Sequence, residues 1–136
     1  MTIRQLDHIV FATGDITAAA QAWLHALGLS AEAPYQPRNA HLELAKLPLA
    51  AGAFLELAQP TTDDHRVARF IADRGEGMFS ISLLVDDIDG AVAHLRARGV
   101  DVSDPETGAW PGTRLARIPR ASAHGVAIQL IERNPS

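Results

Sequence analysis

The opening of this chain returns, altered, seventy-two residues later. Leu6-Asp7-His8-Ile9-Val10-Phe11, followed by Gly14-Asp15-Ile16 and an Ala-rich stretch, reappears as Met78-Phe79-Ser80-Ile81-Ser82-Leu83, followed by Asp86-Asp87-Ile88. Each copy closes on a related segment, Phe54-Leu55-Glu56-Leu57 in the first and Ile128-Gln129-Leu130-Ile131 in the second. A repeated unit of roughly fifty residues cannot bury its own apolar face, so two copies imply one shared core. The copies differ at two polar positions: His8 corresponds to Ser80, and Glu56 to Gln129.

The totals narrow the partners. A chain of 136 residues suits one domain with a sizeable core. A net charge of −4 argues against nucleic acid or an anionic membrane surface as the main partner. With no cysteine, disulfides and thiolate metal sites are excluded. No apolar run approaches a membrane span, and no signal peptide is visible, so the cytoplasm is the expected compartment.

Periodicity places the elements. Residues 5–13 alternate as a strand, with Ile9 and Phe11 on one face and Leu6, His8 and Val10 on the other. Asp15 caps a helix carrying Ile16, Ala19, Ala20, Trp23 and Leu27, and Gly28 ends it. Pro34 and Pro37 break the chain before strands at 39–46 and 52–58. Asp63 and Asp64 are expected to open a linking helix with Val67, Phe70 and Ile71 on its apolar face. The plan then repeats. A strand spans 78–85, a helix capped by Asp87 runs to Gly99, and strands follow near 113–118 and 126–132. The order is β-α-β-β-β, linking helix, β-α-β-β-β, an α+β domain. Its first module covers about 5–60, the linking helix about 63–75 and the second module about 78–133. The final Asn134-Pro135-Ser136 is expected to fray.

Parity sorts the polar residues, because strand side chains two apart share a face. With Ile9, Phe11, Leu55 and Leu57 packed on the first helix, His8 and Glu56 fall on the opposite face. Ser80 and Gln129 take the corresponding positions in the second module. A divalent metal wants imidazole nitrogen with carboxylate or amide oxygen, and His8, Glu56 and Gln129 supply one nitrogen and two oxygens. A hydrogen-bonded structural histidine is the alternative for His8. His41 and Glu43 also share a face, which the sequence leaves open.

These features together resemble the vicinal oxygen chelate superfamily, which includes glyoxalase I, bleomycin-resistance proteins, extradiol dioxygenases and methylmalonyl-CoA epimerase. The resemblance rests on Leu6-Asp7-His8-Ile9, Leu27-Gly28-Leu29, Phe54-Leu55-Glu56-Leu57 with Pro60, and Gly75-Glu76-Gly77. It continues through Val85-Asp86-Asp87-Ile88, Arg98-Gly99-Val100, Pro119-Arg120 and Gly125-Val126-Ala127-Ile128-Gln129-Leu130. The linking helix followed by Gly-Glu-Gly looks most like the epimerase and glyoxalase-like branch.

The resemblance implies paired βαβββ modules forming one curved, mostly antiparallel half-barrel sheet around a groove, with helices outside. It also implies a divalent metal (Zn, Ni, Co, Mn and Fe are not distinguished) on His8, Glu56 and Gln129. Ser80 stands where a second histidine belongs, and Gln129 where the closing glutamate belongs. Glu43 or His41 lies near the stretch expected to hold a catalytic base. Ser80, Trp110, Arg114 and His124 are candidates to contact substrate. The implied activity is that of a glyoxalase-like isomerase or lyase acting on a small oxygen-bearing molecule, and a homodimer is expected. The alternative is a metal-free protein that binds or sequesters a ligand, for which apolar area and a few polar anchors suffice.

Overall fold

The computed structural model describes residues 1–38 and 40–134. The fold is α+β, and its mixed sheet uses both parallel and antiparallel pairings. The chain divides into two compact units, residues 8–79 and residues 1–7 with 80–134. The divisions fall inside two strands rather than at the linking helix. The expected strand 39–46 begins outside the described residues, and the expected fraying extends beyond them at 135–136.

In the unit of residues 8–79, strand β1 (Ile3–Ala12, from His8 onward) leads into helix α1 (Ile16–Leu27). Asp15 caps α1, its carboxylate accepting from the Ala18 N–H, and Gly28 ends it in the left-handed conformation at φ 68°. Strands β2 (Leu42–Pro48) and β3 (Phe54–Pro60) form an antiparallel hairpin, and β3 pairs in parallel with β1. A parallel return needs a crossover, which α1 and the hairpin provide. Between α1 and β2 the described residues of the chain form no full strand, and Tyr35 makes an isolated antiparallel bridge to Leu44. Pro34 and Pro37 flank it and deny a ladder its donors.

Ala45, Leu47 and Leu57 are buried with Ile16, and Phe11, Ala19, Ala20, Trp23 and Leu55 pack against them. Phe11 meets Trp23 edge to face, with ring centroids 4.8 Å apart. Odd-numbered residues of β1, β2 and β3 therefore face α1, and the even-numbered ones face away. Helix α2 (Arg66–Arg74) follows. Its cap is His65, whose Nδ1 accepts from the Val67 N–H at 3.0 Å, not Asp63 or Asp64 as the sequence suggests. Both aspartates lie in the turn before it.

The other unit repeats the plan with strand β4 (Gly77–Val85, from Ser80 onward), helix α3 (Ile88–Ala97), a two-residue strand β5 (Glu106–Thr107), β6 (Thr113–Ile118) and β7 (Ile128–Arg133). Strand β7 pairs in parallel with β4 and antiparallel with β6. Val85, Ile88, Ala91, Val92, Val102, Ala116 and Leu130 form its core. The first residues of β1 belong here because ion pairs tie them in: Arg4 to Asp86, and Arg133 to buried Asp7.

One device recurs in both units. Gln59 Oε1 accepts from the Ile16 N–H at 2.8 Å, and Glu132 Oε1 accepts from the Ile88 N–H at 3.1 Å. In each case the last strand supplies an oxygen to the first turn of the helix, where amide donors lack helical partners. No helix among the described residues is long and apolar enough to cross a membrane.

Candidate functional site

His8 and Glu56 come together on the face turned away from α1. His8 lies opposite Phe54 in the β1–β3 register, and Val10 opposite Glu56. His8 Nε2 stands 3.6 Å from Glu56 Oε2, with His8 3% and Glu56 5% exposed. The imidazole stacks on the Phe54 ring, centroids 4.6 Å apart and planes 10° apart. A carboxylate and an imidazole buried this deeply are costly to desolvate, so their proximity on one face is a strong constraint on the fold.

The spacing bears on a metal. At 3.6 Å the pair is too far apart for a good hydrogen bond. Two donors each about 2.1 Å from one ion stand about 3.4 Å apart at a tetrahedral angle. The pair therefore fits adjacent ligand positions of a divalent ion. A catalytic zinc ordinarily takes a third protein ligand, and among the described residues no three His, Cys, Asp or Glu side chains gather for one.

The counterparts of this pair lie in the other unit. Ser80 is 2% exposed, and its buried hydroxyl has no hydrogen-bond partner among the described residues. Gln129 lies opposite Ser82 in the β4–β7 register, and its Oε1 accepts from the Ser82 hydroxyl at 3.3 Å.

The proposed base lies elsewhere. Glu43 pairs with Gln59 and shares the parity of Ala45 and Leu47, so it stands on the α1 side of the hairpin, away from Glu56. There its carboxylate accepts from Gln36 Nε2 at 3.4 Å. His41 precedes β2, is exposed, and has a positive φ of 55°. Neither side chain is brought beside the His8–Glu56 pair.

The remaining candidates scatter within their unit. Arg114 forks onto Asp89 of α3, at 2.8 and 3.1 Å, and lies 3.9 Å from Glu132. The bonded guanidinium holds the Asp89 carboxyl below its usual range. His124 is an exposed turn residue with φ 53°. Trp110 is half-buried, and its carbonyl accepts from the Thr113 hydroxyl at 2.6 Å.

Lys46 escapes the sequence reading, and Arg117 takes the matching position in the other unit. Lys46 lies directly across the ladder from Glu56, and Arg117 directly across from Gln129. Lys46 Nζ sits 4.6 Å from the centroid of the Phe54 ring. Arg117 pairs with Glu106 through Nη1, while its buried Nε has no hydrogen-bond partner among the described residues. The signal for Lys46 was available in the hairpin: a turn centred near residue 51 sets 46 opposite 56.

Comparison with known proteins agrees with this architecture. The family model described as the glyoxalase/bleomycin resistance protein/dioxygenase superfamily matches residues 7–116. A methylmalonyl-CoA epimerase variant from Streptomyces coelicolor, in complex with 2-nitronate-propionyl-CoA, is 26% identical. It superposes with a TM-score of 0.89 over 98% of this chain and 97% of its own. The epimerase from Mycobacterium tuberculosis is also 26% identical, with a TM-score of 0.88 over 98% of this chain and 90% of its own. A hypothetical protein from Bacillus halodurans, 26% identical, reaches 0.89 over 97% of this chain and 96% of its own. With the repeat, the two βα units and a family match over most of its length, the chain belongs to the glyoxalase/bleomycin resistance protein/dioxygenase superfamily.

Proposed function

We propose that this protein is a glyoxalase-like enzyme of the isomerase or lyase type, acting on an oxygen-bearing acyl compound, with His8 and Glu56 as its polar centre. The observation that carries the reading is the 3.6 Å separation of two buried groups of complementary chemistry on one face. The likeness to epimerases, one of them in complex with a CoA derivative, supports acyl thioesters as the first compounds to try. A divalent ion, when bound, supplies Lewis acidity toward a substrate oxygen.

The chain's own residues supply the rest. Stacking on Phe54 fixes the His8 ring plane and so aims Nε2. A carboxylate that engages one oxygen keeps the other as a proton acceptor. Glu56 is thus the group suited to take a proton from the carbon beside a carbonyl. The C–H electron pair passes to the carbonyl oxygen as an enolate, and the proton then returns to carbon. Burial of both side chains keeps bulk water from competing for that proton.

The test is exchange of the α-proton of methylmalonyl-CoA in deuterium oxide, followed by NMR with and without added divalent ion. Exchange by the native protein, lost in Glu56→Gln and His8→Ala, is the expected result. Exchange that persists undiminished in Glu56→Gln overturns the proposal.

One observation favours a second reading, a protein that captures a ligand without turnover. Ser80, short and neutral, stands at the position where the first copy carries an imidazole. That reading expects tight binding that a chelator leaves unchanged, with no proton exchange. Homodimer formation would accompany either reading, and the exposed Leu24 and Leu27 of α1 support it.

A further inference from the structure

We infer that the unit of residues 1–7 and 80–134 carries an oxyanion site built on Arg117, Gln129 and Ser80, and that it supplies no ligand to a divalent metal. The metal role expected of Gln129 gives way to binding of a carboxylate or phosphate group. This site stands apart from the proposed reaction, and neither needs the other.

Register assembles it. Leu83, Val85, Ala116 and Leu130 pack into the core with α3, so strand residues of the other parity project from the opposite face. On that face Ser82 lies across from Gln129, and Gln129 across from Arg117. Ser80 stands two places before Ser82 on β4. Leu115 and Ile131 share the face and are buried, so the polar groups rest among apolar neighbours.

Three observations give the site its sign. First, Gln129 Oε1 accepts from the Ser82 hydroxyl at 3.3 Å. The oxygen is thereby committed, and the amide meets a ligand with its N–H donors, where a metal requires an acceptor. Second, Arg117 sets a permanent positive charge across the ladder from Gln129, which repels a divalent cation and draws an anion. Its Nη1 pairs with Glu106, which leaves the edge formed by Nε and Nη2. Arg133 grips Asp7 by that same edge, with two bonds of 2.8 Å. The edge suits two oxygens of one oxyanion. Third, buried Arg117 Nε and the Ser80 hydroxyl have no hydrogen-bond partner among the described residues, and Ser80 is 2% exposed. Burying a donor without an acceptor is costly, and an oxyanion supplies the acceptor.

Glu106 tunes access. Its carboxylate, with the side chain 53% exposed, neutralises part of the guanidinium charge and competes with an incoming anion. Removing that carboxylate should therefore strengthen binding.

The experiment is an NMR titration of the Arg117 Nε–H and Gln129 side-chain amide resonances at constant ionic strength. The probes are sodium acetate, sodium phosphate and, as control, sodium chloride. Saturable shifts with acetate or phosphate, and none with chloride, are expected. Saturation by acetate alone marks a carboxylate site, and by phosphate alone a phosphate site. Arg117→Lys keeps the charge but loses the forked edge, and should weaken binding about tenfold. Ser80→Ala should weaken it about fivefold, and Glu106→Gln should strengthen it by a similar factor. Zinc chloride, titrated separately, should leave the Gln129 amide resonances in place, and Gln129→Ala should leave zinc binding unchanged. The inference is overturned if neither anion saturates, if Arg117→Lys binds as the native protein does, or if Gln129→Ala loses affinity for zinc. Should Arg117→Lys fail to fold, Glu106→Gln, which keeps the arginine, decides: binding no tighter than native overturns the site.

Discussion

Arg133 grips Asp7 with two parallel hydrogen bonds, Nε to one carboxylate oxygen and Nη2 to the other, each 2.8 Å long. The partners are 126 positions apart, and Asp7 is buried. Truncating the arginine leaves a carboxylate with little water and no fork to bind it. Arg133→Ala should therefore cost about 3–5 kcal/mol in urea unfolding, more than Arg133→Lys, which keeps the charge and loses the second bond. A cost below about 1 kcal/mol, the range of surface ion pairs, would contradict this account.

His8 and Glu56 should respond unequally to removal. His8→Ala takes away both the ring stacked on Phe54 and the group beside a buried carboxylate, and should destabilise by about 3–5 kcal/mol. Glu56→Gln keeps the shape and removes the charge, so its cost should fall below about 2 kcal/mol. Chemical denaturation of both variants checks the order, which must not invert.

The paired strand-to-helix bonds predict matched losses. Gln59→Ala and Glu132→Ala each remove an acceptor from the first turn of a helix, and each should cost about 1 kcal/mol. Hydrogen exchange should quicken at Ile16 in the first variant and at Ile88 in the second, each leaving the other helix unchanged.

Asp89 gives a pH signature. The Arg114 guanidinium holds its carboxyl below the ordinary range in the folded protein. Because the folded value lies below the unfolded one, the contribution of the pair is present above pH of about 3.9 and fades as pH falls through the folded value. Carboxyl NMR titration of Arg114→Gln should move the Asp89 midpoint upward toward the ordinary range. An unmoved midpoint would mean that Arg114 is not the cause.

Much of this architecture was legible in the residues. Alternation placed His8 and Glu56 on one face because Phe11, Leu55 and Leu57 leave a strand no other way to cover α1. The caps Asp15 and Asp87 were equally readable, since an aspartate before a helical apolar pattern has one common use. Glu43 was not, because parity within one strand is silent until the hairpin register is known; pairing with Gln59 sends it to the α1 side. The cap of α2 was misread for a related reason. Two aspartates are the stronger signal, but His65 has the extended backbone that lets Nδ1 reach the Val67 amide. Lys46 was missed because a charge in a strand usually reads as solvated.

Gln59 and Glu132 each stand three places beyond Glu56 and Gln129 on the same strands. Three is odd, so the anchor and the site residue project from opposite sides, and one can change without disturbing the other. A duplicated gene could thus rewrite one copy's reactive position, imidazole to hydroxyl or acid to amide, while the bolt fastening helix to strand stayed in place. The same separation offers an engineer a scaffold whose chemistry can be exchanged independently of its frame.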